Sequence, residues 1–101
     1  MFVTGETLYD QVLSLDNNNN PVTATTFTTY TYLNGYLYSG VSISVALSDP
    51  NTGMFVGSWS ANTVGFFQTY YKNNVTDVIY VSDTYEVDNG SATDQTIYVG
   101  F

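Results

Sequence analysis

Val41-Ser42-Ile43-Ser44-Val45-Ala46-Leu47-Ser48 is the stretch that decides how this chain folds. Apolar residues at 41, 43, 45 and 47 alternate with small residues at 42, 44, 46 and 48. A period of two puts one set on each face of a pleated strand, whereas a helix would scatter both sets around its circumference. After it, Asp49-Pro50-Asn51-Thr52-Gly53 has the composition of a tight turn. Met54 to Ser60 then forms the next strand, with Phe55, Gly57 and Trp59 on one face. Trp59, the single tryptophan, is expected in the core of a small sandwich.

The same texture extends in both directions. Leu8 to Leu15 reads as the first strand and stops at Asp16-Asn17-Asn18-Asn19-Asn20-Pro21. Asn and Asp tolerate left-handed backbone there, and Pro withholds a ladder donor. Thr23 to Leu33 follows, closed by Asn34-Gly35, and Tyr36 to Leu47 comes next with a break at Ser39-Gly40. Gly65 to Lys72 precedes the turn Asn73-Asn74. Asp77 to Val87 places Ile79, Val81, Tyr85 and Val87 on one face, interrupted at Asp83. Asp88-Asn89-Gly90 ends that strand, and Thr96 to Phe101 closes the chain with Ile97, Val99 and Phe101 in phase. No segment sustains helical spacing of apolar residues. Residues 1–101 therefore predict one all-β domain, an antiparallel, Ig-like β-sandwich of about seven or eight strands.

Composition excludes several function classes. Nine acids oppose one cation, Lys72, for a net charge of −8, and there is no His or Cys. Nucleic-acid binding needs cations to displace counterions from phosphates, so this chain is no nucleic-acid binder. Anionic membrane surfaces are disfavoured for the same reason. Disulfides and thiolate metal sites are impossible without cysteine, and no imidazole is available for proton transfer near neutral pH. No basic-then-apolar leader opens the sequence, and no apolar run approaches the ~18 residues of a membrane span. Synthesis in a cytoplasm with the Thr/Ser/Tyr/Asn texture of an extracellular β protein is a combination common among virion proteins, so a virion location is expected.

Candidate chemistry is sparse. Glycosidase work needs two carboxylates facing one cleft, yet Asp83 and Glu86 have opposite strand parity. The remaining acids fall mostly at strand ends and turns. The oxygen-rich loops Asp16 to Asn20 and Asp88 to Asp94 could suit calcium but lack EF-hand spacing. A Ser or Thr nucleophile has only Lys72 as a base, and no motif marks such a pair. Asn74-Val75-Thr76 and Asn89-Gly90-Ser91 fit the short glycosylation pattern. The reading is non-enzymatic, with no catalytic, cofactor or metal site.

Tyrosine is the strongest lead, since ten are present and aromatics make up 17% of the chain while charged residues make up 10%. Tyr30, Tyr32, Tyr36 and Tyr38 cluster on two successive strands, and Tyr71 lies on a later one. Such rings give large contact area at low entropic cost, so these five are the expected interface residues. A cross-strand aromatic ladder is the structural alternative. The same rings could stack on sugars, as in a carbohydrate-binding module or receptor-binding tip.

Short motifs add a resemblance. Asp16-Asn17-Asn18-Asn19-Asn20-Pro21-Val22 resembles the acidic turn and Pro-Val strand opening of small Ig-like modules, with Asn20 standing where Gly is usual. Asp49-Pro50-Asn51-Thr52-Gly53 and Gly65-Phe66-Phe67 match the later rhythm of the same modules. Modules of this kind resemble the small β-sandwich structural proteins of tailed bacteriophages: decoration or cement proteins, neck or tail adaptors and fibre-attachment domains. The resemblance implies binding to other virion proteins (major capsid, neck or tail protein), in several copies. It implies no catalytic residue.

Overall fold

A computed structural model describes residues 1–89, and the strand expected at Thr96 to Phe101 lies outside them, as does most of the loop Asp88 to Asp94. The described chain is all-β and forms a two-sheet sandwich of nine strands. These are β1 (Phe2–Val3), β2 (Leu8–Leu13), β3 (Phe27–Leu33), β4 (Tyr36–Leu37), β5 (Ser44–Asp49), β6 (Met54–Trp59), β7 (Gly65–Asn73), β8 (Ile79–Val81) and β9 (Tyr85–Asp88). One sheet runs β1-β9-β7-β3-β4, with β8 also paired to β7, and the other runs β2-β6-β5.

Each sheet is built on a central strand of alternating burial. Phe67, Thr69, Tyr71 and Asn73 of β7 point inward, as do Phe55, Gly57 and Trp59 of β6. Two apolar clusters fill the space between the sheets. Leu8, Trp59, Ala61, Phe67 and Val87 form the first, and Val12, Phe55 and Tyr71 the second. Trp59 is in the core as the sequence predicted.

Several details depart from the sequence expectation. Pairing is antiparallel throughout except at β1 and β9, which run parallel with Phe2 opposite Val87. The break expected at Ser39-Gly40 within Tyr36 to Leu47 is present but wider, since residues 38–43 belong to neither β4 nor β5. The strand expected from Asp77 to Val87 is also two strands, and its apolar residues do not share a face. Val81 pairs with Tyr70, whereas Tyr85 pairs with Phe67. Four steps on one side match three on the other, so one extra residue sits between β8 and β9 and reverses the parity. Ile79 and Val81 are therefore exposed, while Val87 is buried. Ser82 anchors the irregularity: its amide donates to the Thr69 carbonyl, and its hydroxyl accepts from the Thr69 amide at 2.9 Å.

Candidate binding face and the buried acid behind it

The outer face of the larger sheet follows from strand parity. On β3, Thr28, Tyr30 and Tyr32 point outward, opposite Lys72, Tyr70 and Gln68 of β7. Phe66 extends the same face of β7 beside Glu86 of β9. Val81 and Ile79 of β8 flank Tyr70 and Lys72. Tyr32 and Tyr70 meet diagonally, with ring centroids 4.9 Å apart and planes tilted by 52°. Tyr30, Phe66, Ile79 and Val81 remain substantially exposed, at 48%, 54%, 59% and 44%. Lys72 and Glu86 lie on this face, and Asp88 shares the outward parity of Glu86 on β9. Lys72 sits 3.8 Å from the exposed Asp77 at the end of the face, a contact that solvent screens.

The five tyrosines singled out from sequence separate into four placements. Tyr30 and Tyr32 lie on this face, while Tyr36 is 79% exposed on β4 at the hairpin. Tyr38 packs edge-on to Phe67, 6.1 Å between centroids, at the margin of the first core cluster. Tyr71 corrects the expectation. It is fully buried and belongs to no surface, because odd-numbered residues of β7 point between the sheets.

Tyr71 instead joins a polar web around Asp10, a residue the sequence did not single out. Asp10 occupies an inward position of β2 and is 3% exposed. One carboxyl oxygen, Oδ2, accepts from Trp59 Nε1 at 3.2 Å, from Thr69 Oγ1 at 2.7 Å and from the Tyr71 hydroxyl. The other, Oδ1, accepts from the Tyr85 hydroxyl. The donors come from β6, β7 and β9, so a single acid of the smaller sheet gathers groups from both layers. Gly57 makes this possible. It stands opposite Asp10 in the β2–β6 register, and a Cβ there would lie 2.3 Å from the Tyr71 hydroxyl oxygen. Burial, then the hydrogen bond to Asp10, raises both phenols, Tyr71 and Tyr85, well above the ordinary tyrosine range.

Beside the web lies a hollow of about 350 Å³ lined by Tyr9, Gln11, Tyr80, Asp83 and Tyr85. Asp10 reaches its wall with both oxygens already occupied by hydrogen-bond donors. Asp10 is the one buried acid among the described residues, and its four hydrogen bonds make it a clasp between the sheets.

The acidic loop is likewise self-contained. Asp16 Oδ1 accepts from the amides of Asn18 and Asn20 at 2.8 and 2.9 Å. Those backbone donors hold its carboxyl below the ordinary range. Among the described residues no group of three or more acids gathers as a metal site would require. No helix among them is long and apolar enough to cross a membrane. No protein-family model, no curated protein and no solved structure matches the chain.

Proposed function

We propose that this chain is a non-enzymatic structural protein of a tailed-phage virion that docks on a capsid, neck or tail component through the outer face of its larger sheet. One observation carries the reading: Tyr30, Tyr32, Phe66, Tyr70, Ile79 and Val81 form one mainly aromatic and aliphatic face, carrying Lys72 and Glu86, on a chain of net charge −8. A contiguous apolar surface bounded by polar residues marks an interaction site, and depletion of charge with enrichment of Tyr and Phe is the composition of an interface centre. The low charge content, the resemblance to phage sandwich modules and the commitment of Asp10, the one buried acid among the described residues, to structural hydrogen bonds support the same reading.

The test is co-sedimentation with phage particles that lack the protein. The native chain should pellet at a fixed copy number. Phe66→Asp with Ile79→Asp should stay in the supernatant, since both side chains are exposed and the fold does not depend on them. Undiminished pelleting by that variant would remove the face from the interface. Absence of pelleting by the native chain, together with retention on a glycan array, would replace the reading with sugar binding by the same rings.

A further inference from the structure

One edge of the sandwich is open onto its core. β4 covers only Tyr32 and Leu33 of β3, and the Tyr38 amide adds a bond to the Thr31 carbonyl. Among the described residues no strand lies beyond Phe27 to Tyr30 on that side. Parity fixes where their backbone groups point. Asn34 N donates to Phe66 O and Asn74 N to Thr26 O, which turns the even-numbered residues of β3 toward β7. The amides and carbonyls of Phe27 and Thr29 therefore face outward.

Two hollows run along this edge. The first, about 250 Å³, is lined by Phe27, Thr29, Ile43, Val45 and Phe55 and opens on the second core cluster. The second, about 230 Å³, is lined by Thr29, Thr31, Leu37, Tyr38 and Val41. Thr29 borders both, so the hollows follow one another along the edge, the direction in which alternate side chains of an added strand recur roughly every 6.6–6.8 Å. Outward backbone groups beside consecutive side-chain pockets are what strand addition uses: the main chain supplies affinity and alternate side chains fill the pockets.

We infer that this edge receives residues 96–101 of a second copy of the chain. Thr96-Ile97-Tyr98-Val99-Gly100-Phe101 carries three apolar residues at alternate positions and no charge or proline, the composition of a pairing segment. Its own copy is out of reach. Tyr85, Phe67 and Leu33 are level across the sheet, with Asp88 three residues to one side and Tyr30 three to the other. The path from Asp88 thus covers ~20 Å along the strands and ~14 Å across them, roughly 24 Å in a straight line. The Asn34-Gly35 hairpin and β4 stand in that line. Eight Cα steps from Asp88 to Thr96 span only about 26–29 Å fully stretched, which leaves no length for the detour. A neighbour has no such restriction. Donation from copy to copy is heterologous, so it closes a ring or extends a filament. The inference does not rest on the outer face, which is a different surface.

Absence of native cysteine makes the test clean. Thr29→Cys and Val99→Cys chains are mixed and oxidised. A disulfide-linked pair joining the two variants is the expected product, well above the yield from a Thr28→Cys partner, whose side chain points to the outer face. Sedimentation of the native chain at rising concentration should show oligomers, and Ile97→Asp with Val99→Asp, checked for retained β circular dichroism, should sediment as monomer. Three results would each overturn the inference. These are no preference for Thr29 over Thr28, a Thr29→Cys/Val99→Cys double variant that closes only within one chain, or association that survives the Asp substitutions.

Discussion

Replacing Asp10 with Ala should cost this domain a large part of its stability. The substitution strips the acceptor from Trp59 Nε1, Thr69 Oγ1 and the Tyr71 hydroxyl, all on buried residues, and from the half-buried Tyr85 hydroxyl. A buried donor left without a partner costs about 1–3 kcal/mol. Hydroxyls can turn toward one another and Tyr85 borders an open hollow, so the sum falls short of four full penalties. At about 2 kcal/mol each, two or three of them give about 4–6 kcal/mol, against roughly 5–15 kcal/mol for a domain of this size. With an m-value of ~1.5–2 kcal/mol/M, the urea midpoint followed by tryptophan fluorescence should drop by roughly 2–4 M. Asp83→Ala, an exposed acid on the same hollow, serves as the control and should shift stability by no more than about 0.5 kcal/mol. If the two variants unfold at the same midpoint, the Asp10 web contributes nothing, and the account of how the sheets are joined is wrong.

Other outcomes follow from neighbouring features. Gly57→Ala drives a methyl group against the buried Tyr71 ring, and a thermal melt should report a loss of about 1–3 kcal/mol. Gly53→Ala should be comparably damaging, because Gly53 holds φ at +76° and its added Cβ would lie 2.4 Å from the Ser14 carbonyl oxygen. Raised tyrosines set the alkaline behaviour. The folded chain keeps the Tyr71 and Tyr85 protons that the unfolded chain releases near pH 10. Their contribution is whole below that pH and is lost as pH rises beyond it. Urea midpoints between pH 8 and 11 should be level at first and then fall, and Tyr71→Phe should make the fall shallower.

The period-two signal made the fold legible. Phe55, Gly57 and Trp59 share an inward face as read from alternation alone, and Asn34-Gly35 is the hairpin tip, with both residues at positive φ. Alternation failed where an extra residue entered the ladder. Nothing in Val81-Ser82-Asp83-Thr84-Tyr85 announces that β8 and β9 pair with β7 one residue out of step, so Ile79 and Val81 were placed on the wrong side. Asp10 was legible in principle: in Leu8-Tyr9-Asp10-Gln11-Val12 it shares parity with Leu8 and Val12, and an acid in phase with apolar neighbours is an inward acid. Its donors were not, since Trp59, Thr69, Tyr71 and Tyr85 lie 49 to 75 residues away. Tyr30 and Tyr71 are alike in sequence context, and only the register of β3 on β7 sends one outward and the other into the core.

The Asp10 web also bears on mechanics. Two sheets held by interdigitated apolar side chains alone can creep past each other in small steps, because dispersion contacts carry little directional preference. Hydrogen bonds weaken steeply when misaligned, so a carboxyl group on β2 fastened to hydroxyls on β7 and β9 gives the pair of layers a stiff resistance to shear. A pull applied to the outer face of the larger sheet would then reach the smaller sheet through that clasp. The whole domain would move as one rigid plate, and Asp10→Ala would make it compliant.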